Sequence, residues 1–113
     1  MKIGVTSQNF RTVTGHAGKT RRFLVYSADI DGNWKESERI DVPKEMSMHE
    51  FRGDHHPIDD LDVLITAGCG NNFINKMAVR GIEVITTSET DPQTAVDAWA
   101  AGDILPPALP HKH

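Results

Sequence analysis

The sequence predicts an α/β fold, a mixed five-stranded sheet flanked by helices in the order β-β-β-α-β-α-β-α. Three observations predict it. Two β-rich segments are joined by the tight-turn triplet Asp31-Gly32-Asn33, as in an antiparallel hairpin. The run Val63-Leu64-Ile65 is continuously apolar, as in a strand buried on both faces. That run leads through a glycine turn and an amphipathic segment to a second β-branched run at Ile82 to Thr86. Strand, helix and strand in succession imply a right-handed parallel crossover.

Each element follows from local chemistry. Lys2-Ile3-Gly4-Val5-Thr6 alternates and reads as a short strand. Residues 7–20 are polar, contain two glycines and show no period, so they form a long loop of the kind that is more often functional than idle. With only Phe10 and Val13 as apolar anchors, the loop is expected to be mobile. Arg22 to Asp29 is the first arm of the hairpin and Trp34 to Val42 the second. In the second arm Trp34, Glu36, Glu38 and Ile40 share one face and Lys35, Ser37, Arg39 and Asp41 the other, a weak pattern that suggests a solvated edge strand. A short helix is expected across Glu45 to Arg52, broken by Gly53 and again by Pro57. After Asp62 to Thr66, the turn Ala67-Gly68-Cys69-Gly70 precedes a helix capped by Asn71 or Asn72 and closed by Gly81. Ile82 to Thr86 is expected to be a buried strand, with Val84 and Ile85 in the interior of the sheet. Asp91 caps a last helix, Pro92 takes its first position and Gly102 follows its end. Trp99 shares a helical face with Ala95 and is expected to pack on the sheet. Residues 1–104 form one domain, and 105–113 a short extended tail.

Composition bounds the function. At 113 residues, with 38% hydrophobic and 25% charged, the chain sustains one packed domain. No apolar run approaches the ~20 residues that span a bilayer. One cysteine excludes an internal disulfide framework and fits a reducing cytoplasm, and no signal-peptide pattern marks export. The net charge of −4 is uneven: residues 1–22 carry +5 without a carboxylate, and the remainder carries −9. Most of the surface would repel a phosphate backbone, so nucleic acid is not an expected partner. A basic segment on an acidic body suits a small anionic ligand, although chance clustering on a solvated surface gives the same count.

Several residues carry candidate chemistry, each beside an ordinary reading. His16 lies in the long loop and is either a ligand or a solvated histidine. Cys69 follows a buried strand and precedes a helix start, where the dipole favours the metal-binding thiolate; a lone cysteine is as readily a small buried hydrophobe. Gly68, Gly70 and the following amides could cradle an anion. Met46, Met48, His49, His55 and His56 suit soft or borderline metals, or else are core methionines and exposed histidines. His111 and His113 in the tail offer only adventitious metal binding. Gly15-His16-Ala17-Gly18-Lys19-Thr20 imitates the end of a phosphate-binding loop, but Val13 stands where that motif needs glycine and a strand follows the lysine.

The start Met1-Lys2-Ile3-Gly4-Val5-Thr6-Ser7, the turn Gly15-His16-Ala17-Gly18 leading into Arg22-Phe23-Leu24-Val25-Tyr26, the hairpin, and the segment from Asp62 to Asn72 together resemble the dinitrogenase iron–molybdenum cofactor biosynthesis proteins. The resemblance runs over residues 1–104 and rests on order and spacing, since no single motif is specific. Ala17 stands where the family often has phenylalanine, and Cys69 where it more usually has an aliphatic residue. The resemblance implies a ribonuclease H-like sheet and a non-catalytic carrier of an iron–sulfur or iron–molybdenum–sulfur cluster. It makes His16 a metal ligand; Lys19, Arg21, Arg22, Gly68, Gly70 and Asn72 would then surround the anionic cluster, with Cys69 open between a second metal donor and a core residue. Partners would be the cluster donor and acceptor proteins, and the chain a monomer or weak dimer. Nuclease activity, which that fold also hosts, needs an acidic residue on the first strand, and Lys2 to Thr6 has none. The alternative is a mononuclear metal-binding or regulatory module using His49, His55 and His56.

Overall fold

The computed structural model describes residues 1–109; His111 and His113 lie outside the described residues. Three alternating segments build the antiparallel half of the sheet. β1 (Lys2–Thr6) pairs antiparallel with β2 (Arg22–Ala28), which pairs antiparallel with β3 (Trp34–Asp41). β4 (Val63–Thr66) runs parallel to β1, and β5 (Glu83–Thr86) runs parallel to β4. The order across the sheet is β3-β2-β1-β4-β5, so only β2 runs against the rest. Helix α1 (Asn71–Val79) connects β4 to β5, and α2 (Pro92–Ala100) follows β5.

Period-two alternation divides the core into two layers. Phe23, Val25 and Leu64 face one way, toward Ile58, Leu61 and the Phe73 and Met77 side of α1. Ile3, Val5, Leu24, Tyr26, Val63 and Ile65 face the other way, toward Ala95 and Val96 of α2, with Trp99 packed half-buried against them as the helical spacing predicts. The two helices therefore cover opposite faces. Asp91 caps α2 by accepting from the Thr94 amide at 2.9 Å, with Pro92 in the first turn. Gly81 and Gly102 take the left-handed conformation just past the two helix ends, with φ of 78° and 83°.

Four expectations are corrected. No helix spans Glu45 to Arg52. A 3-10 turn covers Lys44–Met46, Ser47 is extended, and the His49 amide bonds to the Gly18 carbonyl of the long loop instead of continuing a helix. The described residues therefore hold two α-helices, not three. Pro57 does not break structure but begins a 3-10 turn, Pro57–Asp60, capped by His56. β5 is an edge strand, so Val84 and Ile85 are half-buried, not interior. Last, a bulge between Val25 and Tyr26 and their partners shifts the register of β3: Val25 faces Glu38 while Tyr26 faces Glu36. The extra residue inverts the phase. Trp34 packs with the α2 layer and Ile40 with the α1 layer, on opposite faces, not one. The same bulge brings Glu36 and Arg39 together at 2.7 Å.

The α1 layer leans on the one strand position without a side chain. A Cβ on Gly4 would stand 2.4 Å from Leu61 Cδ1, and Leu61 is itself buried in that layer. Gly4→Val is expected to lower stability by about 1–3 kcal/mol, the usual cost of overpacking, read as a fall in denaturation midpoint. An unchanged midpoint would mean that Leu61 has room to move.

Candidate functional site

β1 and β4 are parallel neighbours, but the chain leaves their carboxyl ends in opposite directions, from Thr6 toward β2 and from Thr66 toward α1. Such a divergence leaves a crevice beyond the strand ends, the usual ligand position in open α/β sheets. Three of the strands end in threonine, at Thr6, Thr66 and Thr86. The hydroxyls of Thr6 and Thr66 lie 2.8 Å apart in the interior. They reach the Thr14 carbonyl at 2.6 and 3.1 Å, and the Ala67 amide donates to the same oxygen at 3.1 Å. The loop is thus fastened to the turn after β4.

Further bonds hold the loop. Thr14 N donates to Thr6 O, Val13 N to Thr90 O, and Asn9 Oδ1 accepts from the amides of Arg11 and Thr12. Ala17 is fully buried and its amide donates to the Gly68 carbonyl at 3.2 Å. With Val13 and Ala17 buried, the loop has more anchors than its polar composition indicated. The backbone of His16 is left-handed, with φ 53° and ψ 49°, a conformation uncommon for residues with a Cβ. His16 is exposed at the mouth of the crevice.

The resulting groove has a volume of about 740 Å³ and is lined by His16, Lys19, His49, Cys69, Asn72 and their neighbours. Gly68 and Gly70 form its floor. Gly70 precedes α1 without any side-chain cap, so the first amides of that helix lack the intrahelical partners later ones have. Among the described residues no carboxylate lines the groove, in a chain whose net charge is −4. Its outer wall is Ala108 and Leu109, carried there because the Pro106 carbonyl accepts from Thr87 Oγ1 at 2.7 Å and the Ser88 amide at 3.2 Å.

The fold therefore brings His16, Lys19, Gly68, Cys69, Gly70 and Asn72 to one place, and adds His49 from the opposite wall. It leaves others out. Arg21 and Arg22 point away from the groove: Arg21 Nε donates to the Val42 carbonyl, and Arg22 pairs with Asp41 at 3.3 Å. The reason is strand direction, since Arg22 opens β2 opposite the end of β3. Arg22 and Arg39 instead flank the Phe10 ring, with guanidinium carbons 5.3 and 5.0 Å from its centre. His55 is exposed and outside the groove lining. His56 is buried with both ring nitrogens engaged: Nδ1 accepts from the Ile58 amide and Nε2 faces the Met46 carbonyl. It is a helix cap, and a metal would have to displace one of those bonds. His49, His55 and His56 thus form no common site, and among the described residues no three His, Cys, Asp or Glu side chains converge on a single ion. Cys69 is half-buried against the α1 layer, and burial pushes its thiol up, contrary to the lowering expected from the helix start. Asn72 lines the groove, but the α1 cap is Gly70, not Asn71 or Asn72.

The threonines were missed by sequence reading. Their signal is the recurrence of an apolar residue followed by threonine at the ends of Lys2–Thr6, Val63–Thr66 and Glu83–Thr86.

A family model described as dinitrogenase iron–molybdenum cofactor matches residues 1–102. A comparison with curated proteins finds no match. Among solved structures, the crystal structure of PH0822 superposes with a TM-score of 0.69 at 22% identity, covering 91% of this chain and 93% of that one. The NMR structure of a Thermotoga protein, TM1290, described as NifB-like and of the DUF35 family, gives 0.61 at 16% identity, covering 99% and 97%. At these identities the two structures share the fold.

Two outcomes follow from the geometry. Thr66→Val keeps the shape but removes a buried hydroxyl, leaving the Thr14 carbonyl and the Gly68 turn short of a partner. A loss of about 1–3 kcal/mol is expected, with faster amide exchange at Thr14 to Ala17; exchange unchanged there would mean the hydroxyl pair does not fasten the loop. Burial and the nearby Arg80 cation lower the pKa of His56, offset in part by the Met46 carbonyl and Asp59. A histidine depressed in the folded state gives stability that is complete above its unfolded pKa and declines as pH falls through the folded one. Melting temperature should therefore drop on acidification from neutral pH, and drop less in His56→Asn, which retains a capping acceptor. Parallel pH profiles in the two proteins would exclude this histidine as the source.

Proposed function

The chain belongs to the dinitrogenase iron–molybdenum cofactor family, and from that premise we propose that it is a non-catalytic carrier for an iron–sulfur or iron–molybdenum–sulfur cluster. The family is linked to biosynthesis of the nitrogenase cofactor. The observation that carries the reading is the meeting of His16, His49, Cys69 and Lys19 on one groove that, among the described residues, holds no carboxylate. Imidazole and thiol are ligands for iron and molybdenum, and a sulfide-rich cluster is anionic. Lys19 and the uncapped amides of α1 supply positive potential toward such a cargo. The donors stand around a wide groove instead of a single point, which favours a polynuclear cargo over a lone ion.

A carrier must release its cargo, and few ligands on an open groove suit transfer between a donor and an acceptor protein. The absence of carboxylates from the groove lining argues against two-metal hydrolysis there. The strand order, with β2 alone reversed, supports the ribonuclease H-like assignment. Among the described residues no helix is long and apolar enough to cross a membrane, and a cytoplasmic location is part of the proposal. The exposed edge of β3 would permit a weak dimer through strand pairing.

The test uses the strain at His16. Glycine adopts its φ of 53° without the Cβ penalty, so His16→Gly and His16→Ala differ in backbone ease but both lack the imidazole. After anaerobic cluster transfer, iron, molybdenum and sulfide retained per chain should fall at least about tenfold in both, one lost ligand bond being worth more than 1.4 kcal/mol. His16→Gly should melt no lower than His16→Ala, since only the alanine keeps the strained Cβ at this φ. Cys69→Ser loses cluster equally if the thiol is a second ligand and little if it is core packing. Retention unchanged in both His16 variants would defeat the proposal.

A further inference from the structure

The outer wall of the groove is held differently from the others. The loop and the glycine turn are fastened to each other through the Thr14 and Gly68 carbonyls, whereas Ala108 and Leu109 belong to a strap that follows α2. The strap is anchored at its near end. Leu105 packs against the α2 layer, and the Pro106 carbonyl accepts from Thr87 Oγ1 at 2.7 Å and from the Ser88 amide at 3.2 Å. Thr87 is fully buried, so its hydroxyl finds its acceptor in the strap and not in water. Beyond that carbonyl the hold stops. Pro107, Ala108 and Leu109 make no hydrogen bond among the described residues, and Leu109 is 76% exposed. Pro106 and Pro107 each fix their own φ and restrict the residue before them to extended backbone. The arm from Leu105 to Pro107 is therefore stiff, pinned at one carbonyl, with its tip laid along the groove.

We propose that this strap is a latch on the groove, closed while Thr87 and Ser88 hold the Pro106 carbonyl and open when those two bonds are exchanged for water. A stiff arm lifts as one piece, so freeing a single carbonyl removes the whole outer wall. The two bonds are between neutral groups, and each has a small net worth once water replaces the lost partner. The exposed tip gives up little cover on leaving. The opposite wall is far harder to move, because the Thr14 carbonyl takes three donors and Ala17 is fully buried. Opening therefore takes place at the strap and not at the loop. The inference rests on the carrier reading for the cargo that passes, while the latch itself is a property of the metal-free chain.

Cys69 lines the groove and is the one cysteine of the chain, so its alkylation reports access to the groove with no cluster present. The full, metal-free chain is treated at fixed pH with a bulky reagent, fluorescein maleimide, and separately with a small one, methyl methanethiosulfonate. Loop-sized segments move within microseconds, far faster than alkylation, so the rate reads the fraction of time that the latch is open. Thr87→Val removes the hydroxyl and keeps the shape. It should speed the bulky reagent at least about threefold, near the low end of one lost hydrogen bond, and leave the small one unchanged. Thr87→Ser, which keeps the hydroxyl, should react as the parent does. The double variant Ala108→Gly/Leu109→Gly trims the wall without touching the pin and should give the same acceleration, so the test holds even where Thr87→Val folds poorly. Ile104→Gln, on the strap but 97% exposed, should change neither rate. An unchanged bulky rate in either folded variant would overturn the proposal. Equal acceleration of both reagents would overturn it too, because general loosening opens the groove to any reagent. The readout contains no cluster, so the carrier reading can fail in the His16 variants while the latch stands, and the reverse.

Discussion

The Thr14 carbonyl takes donors from Thr6, Thr66 and Ala67, and most of the site hangs on that oxygen. A carbonyl buried without partners would cost a few kcal/mol, so the loop is drawn to wherever hydroxyls wait for it. Those hydroxyls sit at the ends of two adjacent parallel strands, and adjacency is set by the apolar layers on either face of the sheet. The packing of Leu64 and Ile65 thereby determines where His16 stands, two residues beyond Thr14. The left-handed turn at His16 is tolerated because both flanks are already fixed, Thr14 by the hydroxyls and Ala17 by Gly68 and its own burial.

Electrostatics then separates structural cations from the others. Along β2 and β3 the basic residues are neutralised in place, by Asp41, Asp29 and Glu36, and Arg80 is held by Asp59. Lys19, at the groove, forms no ion pair among the described residues, and neither do Arg11, Arg21, Lys44, Arg52 and Lys76 elsewhere on the surface. On a chain of net charge −4, a lysine in a crevice is a local attraction for anions that the remaining surface repels.

Much of the fold was legible because its strands obey simple rules. Lys2 to Thr6 alternates, Val63 to Ile65 is continuously apolar, and Asp91-Pro92 announces a helix; each was placed within a residue of its observed start. The failures have physical causes. The bulge opposite Val25 leaves no local trace, so Trp34 and Ile40 were assigned one face. Residues 45–52 have helical composition, but Ser47 and His49 spend their backbone groups on turns and on Gly18, a tertiary choice. The glycine turn and His16 were readable from turn chemistry and from family resemblance. Arg21 and Arg22 were misjudged because charge along a sequence does not give direction across a sheet.

The strap that ends in Ala108 and Leu109 has a bearing on when the groove exists. Its other walls come from residues 15–19, 49, 67–73 and 86, and the Pro106 carbonyl fastens the last wall to Thr87 and Ser88. A protein is made from its amino end, at about 5–20 residues each second. During synthesis the histidine and the glycine turn thus emerge well before the final wall, and a growing chain presents an incomplete cradle. The groove gains its last wall only once residues 106–109 have been made and the Pro106 carbonyl has met Thr87 and Ser88, so its enclosure follows the folding of β5.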